Sequence, residues 1–203
     1  MSCTITQQKL DQFKLLHPND ERLQALSLEE LIANTDGGKA DWSKLPKRPA
    51  LPSVTEATSC PVAMGFVIYD AVALFLGAGA TRDGVTEAEA EAVADAAEPV
   101  LSQLEQYIET ITKEGASVTD QAKAVWGIIS TIYNGGCIGA VISAFLGTLT
   151  WYNWILYGAT ALATIVAAVA TDGAAEIAEI VIELATAGWL VSDSVTCMKA
   201  CNL

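Results

Sequence analysis

The chain has 203 residues, of which 52% are hydrophobic and 17% are charged, and its formal net charge is −13. A soluble domain carries about 25% charged residues, so this chain has fewer solvated positions than a monomer of its size normally has. Residues 1–60 have a net charge of −1, and residues 61–203 have a net charge of −12. Such an acidic body repels nucleic acid and anionic lipid at neutral pH, which excludes nucleic acid as a partner.

The N-terminal third divides into a helical arm and a linker. Apolar spacing predicts two short amphipathic helices over residues 7–16 and 20–33, separated by a turn that contains His17. Residues 34–60 combine glycine, proline and basic residues without a periodic apolar set, which is typical of a linker or an extended strap. The expected organisation is an N-terminal helical arm (1–33), a Pro/Gly linker or strap (34–60) and an apolar α-helical bundle (61–203).

The body is predicted to consist of consecutive helices, since no alternating run of β-branched residues is long enough for a sheet. Thr86 and Glu89 form a capping box that opens a long helix, and Pro99 should kink or divide it. Further helices are expected over residues 120–133, from 136 to about 149, over 151–170, and over 174–201 with a bend at Gly188. The expected fold class is therefore all-α, a multi-helix bundle that encloses a central apolar helical hairpin.

The hairpin prediction comes from an uncharged stretch. No charged residue occurs between Lys123 and Asp172, which leaves 48 uncharged residues at positions 124–171. A helix needs about 20 residues to cross a bilayer, so this stretch is long enough for two spans. No basic cluster flanks it to set an orientation, and the pattern therefore suits a soluble bundle that wraps the hairpin.

Small and aromatic residues within this stretch are the candidate functional residues. Gly135, Gly139, Ser143 and Gly147 follow one another at intervals of four, which on one helix makes a ridge that lets two backbones touch, in a membrane or in a soluble bundle. Trp and Tyr prefer the boundary between membrane and water. The aromatic residues at the predicted hairpin turn are Trp151, Tyr152, Trp154 and Tyr157.

Asp70 is the candidate pH-sensing residue. It is the single acidic residue in an otherwise apolar run over residues 62–80. Burial disfavours an ionised carboxyl group, so a buried Asp70 would have a raised pKa or would need a partner. A position at the surface end of a helix is the alternative.

The chain has few residues for catalysis or metal binding. His17 is the only histidine and is interpreted as a surface residue of a turn, and none of the common phosphate-loop, dinucleotide or nucleophile-elbow motifs occurs. Glu176, Glu179 and Glu183 share one helical face, which is interpreted as solvated. The five cysteines lack a four-ligand zinc set and are interpreted as buried apolar residues or as one disulfide that uses Cys60 or Cys137. We expect no enzyme activity, no metal and no cofactor.

An apolar hairpin inside a soluble helical shell is similar in organisation to helical pore-forming toxins of the colicin type, over residues 62–201 and without a shared motif. The leading hypothesis is a membrane-active, pore-forming protein that inserts the hairpin into a lipid bilayer and assembles as a homo-oligomer or with a second subunit. The alternative is a non-catalytic protein that binds a lipid or an obligate partner. The N-terminus does not have the pattern of a Sec signal peptide, so we expect a cytoplasmic protein or export by a non-Sec route to a target membrane.

Overall fold

A computed structural model of the chain describes residues 2–42, 59–77, 85–147, 149–184 and 188–203. Within these residues the chain is almost wholly helical, and the predicted all-α multi-helix bundle is confirmed. Two three-residue strands, β1 (Ser2–Thr4) and β2 (Lys39–Asp41), pair antiparallel. The helices are α1 (Gln7–Leu16), α2 (Glu21–Ala25), α3 (Leu28–Ala33), α4 (Cys60–Phe75), α5 (Glu87–Ala97), α6 (Leu101–Thr112), α7 (Val118–Asn134), α8 (Ile138–Phe145), α9 (Trp151–Ala170), α10 (Ala174–Leu184) and α11 (Gly188–Cys201).

Local sequence signals set several helix ends. The Thr86 side chain accepts a hydrogen bond from the Glu89 amide, and the Glu89 carboxylate accepts one from the Thr86 amide, so the predicted capping box is confirmed. The proline predicted to divide the next helix lies in a short 3-10 turn, Glu98–Val100, between α5 and α6. Ser117 caps the start of α7 by accepting a hydrogen bond from the Asp120 amide.

Helix α4 is the most deeply buried helix described. Every residue from Val62 to Phe75 is buried, and α4 packs against α5, α7, α10 and α11. Gly65 allows the close crossing of α4 and α5, because a side chain at this position would meet the backbone carbonyl of Ala90. A disulfide between Cys60 and Cys201 joins the start of α4 to the end of α11. The body is thus built around one apolar helix and closed by a covalent link.

The region predicted as a linker begins with ordered structure. Residues 34–42 include strand β2 and Trp42, which is only 3% exposed. Residues 43–58 of the predicted strap lie outside the described residues, and its last two residues, Ser59 and Cys60, cap and begin α4. The β1–β2 pair is not predicted from the sequence, because strands of three residues produce no alternating pattern long enough to recognise.

Residues 2–42 form an N-terminal segment that we call the arm, and its buried residues belong to the same hydrophobic core as those of the body. The Lys14 ammonium donates hydrogen bonds to the carbonyl oxygens of Gln24 and Leu26 at 3.0 and 2.8 Å. The Gln24 amide donates in return to the carbonyl oxygens of Lys14 and His17. These bonds hold α1 and α2 together, so the arm is larger and more compact than the helices predicted over residues 1–33.

Candidate functional site

The uncharged stretch of residues 124–171 contains most of α7 and all of α8 and α9. Helix α9 has 20 residues and a mean hydropathy of 1.6 over its most apolar window, and by length and composition it is able to cross a membrane. Helices α7 and α8 pass the same test only together, and they are bent by 115° at the break between them. A helix like α9 also occurs as the core helix of soluble proteins, and 56% of its apolar window is buried here.

The four small residues do not lie on one helix. Gly135 ends α7, Gly139 and Ser143 lie in α8, and Gly147 follows the end of α8. The bend occurs because Gly136 adopts a φ of 75°, a left-handed conformation that suits glycine and ends a helix. The continuous ridge expected from the four-residue spacing is therefore interrupted in this structure.

The aromatic residues, in contrast, lie together on the first two turns of α9, and the arm contacts all four. The Arg22 guanidinium carbon lies 3.8 Å from the centre of the Trp151 ring. The Tyr152 hydroxyl donates a hydrogen bond of 2.9 Å to the Glu30 carboxylate. The Tyr157 hydroxyl donates to the Asp41 carbonyl oxygen at 2.9 Å and accepts from the Asp41 amide at 3.3 Å. The Trp42 ring also packs on Tyr157, and the Phe13 ring packs on Trp154.

Helix α1 fits a groove that two glycines open on α8 and α9. The Phe13 side chain is fully buried, and its ring lies over Gly158, where an added Cβ would be 2.7 Å from the ring carbons Cε2 and Cζ. Leu16 covers Gly139 in the same way, with its Cδ1 at 3.0 Å from an added Cβ. Glycine at these two positions removes the side chains that would hold α1 away from the uncharged helices.

His17 lies at the centre of this contact. Its ring centroid is 4.7 Å from that of Phe13 and 5.1 Å from that of Trp154. The Nε2 atom is buried without a hydrogen-bond partner among the described residues. Burial lowers the pKa of His17, and the nearby Asp20 carboxylate only partly opposes this effect. His17 thus lies in the predicted turn, but it is partly buried against α9 and is not the fully exposed residue that the sequence analysis expects.

The other acidic residues singled out from the sequence lie elsewhere. Asp70, the candidate pH sensor, is 0% exposed in the middle of α4 and is not part of the arm contact. On α10, Glu179 is exposed while Glu176 and Glu183 are partly buried. Burial, together with the neighbouring Glu179, raises the pKa of Glu183. The glutamate face of α10, which the sequence pattern indicates to be solvated, is therefore only partly exposed to solvent.

Among the residues that the structure describes, no group of three histidine, cysteine or acidic side chains is placed to hold a metal ion. A surface cavity of about 410 Å³ lies between α6 and α7, and Lys113, Glu114, Asp120 and Lys123 contribute to its lining. The charges of these four side chains cancel formally, so the groove offers no net charge to an ionic ligand.

The sequence analysis missed the arm's half of the site. Phe13 and Leu16 were recognised only as apolar positions of a short helix, and Gly158 was not selected because it has no partner at the four-residue spacing. The available signal was the pairing of an apolar helix without a core of its own with small residues on an uncharged helix. Comparisons with protein-family profiles, with curated proteins and with solved structures found no match.

Proposed function

We propose that this protein is a membrane-active, pore-forming protein that inserts its uncharged helices, residues 124–171, into a lipid bilayer. The observation that carries the proposal is the stretch of 48 residues without a charge, which includes a helix long enough to cross a membrane. Twenty helical residues span about 30 Å, the thickness of the hydrocarbon core.

The energetics of transfer support this proposal. Burying apolar surface in a protein core or in lipid is worth about 25 cal/mol per Å² in either case, so the stretch loses little by exchanging one environment for the other. Straightening the bend between α7 and α8 would turn them into a second span and would align Gly135, Gly139, Ser143 and Gly147. In the inserted state this ridge of small residues is the surface on which copies of the chain, or a second subunit, would assemble.

The disulfide supports a site of action outside a reducing cytoplasm. Disulfides form and persist mainly in oxidising compartments, and the bond between Cys60 and Cys201 spans 141 residues of the chain. A protein that leaves its cell of origin by a non-Sec route and meets a target membrane would experience such conditions.

Leakage of an encapsulated dye from lipid vesicles tests the proposal. A matched pair of variants separates insertion from surface binding. Ala140 and Ala178 are both exposed helical alanines, but Ala140 lies in α8 within the proposed first span, and Ala178 lies in α10 outside the stretch. Both Ala140→Arg and Ala178→Arg add the same charge to an exposed position, so both variants should fold in solution.

Arginine in the middle of a span costs about 2.5–3.5 kcal/mol on insertion scales, which corresponds to a decrease of about a hundredfold in the inserted population. We expect Ala140→Arg to abolish most of the leakage and Ala178→Arg to leak like the wild type. Equal leakage from the two variants would show that α8 does not enter the bilayer. A wild-type protein that releases no dye at any pH or lipid composition would refute the proposal itself.

A further inference from the structure

We infer that the arm, residues 2–42, is the cover of the uncharged α8–α9 surface and that protonation of His17 releases it. This inference rests on the proposed function, since it states when the uncharged helices become free to enter a membrane. It also identifies a group for the pH response other than Asp70, the candidate selected from the sequence.

The arm is suited to act as a removable cover. It contacts α9 through Phe13, Trp42 and the polar bonds of Glu30 and Asp41, and it contacts α8 through Leu16. Its own helices are held together by the hydrogen bonds between α1 and α2. Because these internal bonds do not involve the body, the arm can separate from α8 and α9 as one unit.

The neighbours of His17 make its protonation unfavourable in the docked arm. On the side of the body the ring faces Trp154, and neither α8 nor α9 carries a charged residue. On the side of the arm, the Asp20 carboxylate favours the protonated ring but only partly opposes the effect of burial, and the Lys14 ammonium is bonded to the backbone carbonyls of Gln24 and Leu26. A protonated imidazole needs a partner for each of its N–H groups, and Nε2 has none among the residues that the structure describes.

The sign of the pH dependence follows from this environment. In a detached arm His17 is solvated and has its ordinary pKa of about 6.5, whereas burial lowers the pKa of His17 in the docked arm. The detached state therefore binds the proton more tightly. Docking is strongest above pH 6.5 and weakens as the pH falls through that value, until the pH passes the docked pKa. One proton changes the equilibrium by at most about tenfold for each pH unit.

Hydrogen exchange measures release of the arm without a membrane. We expect the protection of α1 amides to fall between pH 7.5 and 5.0, by at most about thirtyfold for one proton with a detached pKa of about 6.5, after correction for the intrinsic exchange rate. The protection of α6, which packs mainly against α7 and α11, should stay constant and serves as the internal reference. In His17→Phe and in His17→Gln, which are neutral at every pH, α1 protection should no longer depend on pH. Asp70→Asn should keep the wild-type response.

A reversible lock tests whether the arm controls membrane activity. A Cβ built on Gly139 lies 3.3 Å from the Cβ of Leu16, close to the separation of about 3.8 Å found in disulfides. The variant Leu16→Cys/Gly139→Cys, made with Cys137→Ser to prevent mispairing, should leak more slowly when oxidised than when reduced. Because Gly139 also lies in the proposed assembly ridge, the variant Gly139→Cys/Cys137→Ser, which cannot form the lock, is the reference for the reduced rate. Wild-type protein in the same reductant controls for loss of the Cys60–Cys201 bond.

The outcomes are distinct. An arm whose α1 protection does not change on acidification, or a pH response that persists in both neutral His17 variants, overturns the inference. An oxidised lock that leaks as fast as the reduced one shows that the arm is not the cover, while the membrane activity stands. An arm that opens with acid through His17, in a protein that never releases dye, supports the acid release and refutes the proposed function.

Discussion

The seating of Phe13 on Gly158 leads to a prediction with a defined magnitude. Gly158→Ala introduces a Cβ at 2.7 Å from two ring carbons of a fully buried Phe13, and such overpacking costs about 1–3 kcal/mol. Alanine also favours a helix interior over glycine by about 1 kcal/mol. The net effect on the free energy of unfolding is therefore a loss of about 0–2 kcal/mol.

Removal of the ring changes the sign of this effect. In a Phe13→Ala background, which itself costs about 3–5 kcal/mol, the space over Gly158 is empty and Gly158→Ala should stabilise the protein by about 1 kcal/mol. The double-mutant cycle, measured by denaturant unfolding, should give a coupling energy of about 1–3 kcal/mol. Additive effects of the two substitutions would show that Phe13 does not occupy the groove on α9.

Gly139→Ala is the matched control for this cycle. The added Cβ meets Leu16 at 3.0 Å, but Leu16 is 38% exposed and its side chain has room to turn toward solvent. The helix preference of alanine should then dominate, and we expect a change between about 0 and 1 kcal/mol in the stabilising direction. A loss comparable to that of Gly158→Ala would mean that the contact of α1 with α8 is as tight as its contact with α9.

Two further predictions concern the cysteines. The variant Cys60→Ser/Cys201→Ser removes a disulfide that spans 141 residues, so it should lower the free energy of unfolding by up to about 5 kcal/mol. An unchanged denaturation midpoint would refute a stabilising role for this bond. Burial raises the pKa of the Cys197 thiol to about 12, so iodoacetamide at pH 8 should label it about a thousandfold more slowly in the native protein than in denaturant. Labelling of native Cys197 at the unfolded rate would show that α11 opens readily.

Several elements could be predicted because their signals are local. Helices α1 and α9 begin and end at the predicted residues, Gln7–Leu16 and Trp151–Ala170. The capping box at Thr86 needs only residues three positions apart. Ser27 and Glu30 have the spacing of a capping box that predicts a helix start at Leu28, and α3 begins there, after an extended Leu26 that divides the segment 20–33. Only half of the box forms: Ser27 accepts from the Glu30 amide, while the Glu30 carboxylate accepts a hydrogen bond from Tyr152, a residue far along the chain.

The chain's sequence alone determined that this protein is helical, acidic and unusually rich in uncharged helix, because periodicity, caps and charge spacing are properties of neighbouring residues. Only the tertiary structure decided what lies on those helices. Three contacts illustrate this: His17 packs on Trp154, Phe13 lies over Gly158, and Cys60 pairs with Cys201. Each contact joins residues that are far apart in the chain. The physical reason is that shape complementarity and desolvation depend on which surfaces meet, and a one-dimensional pattern does not specify this.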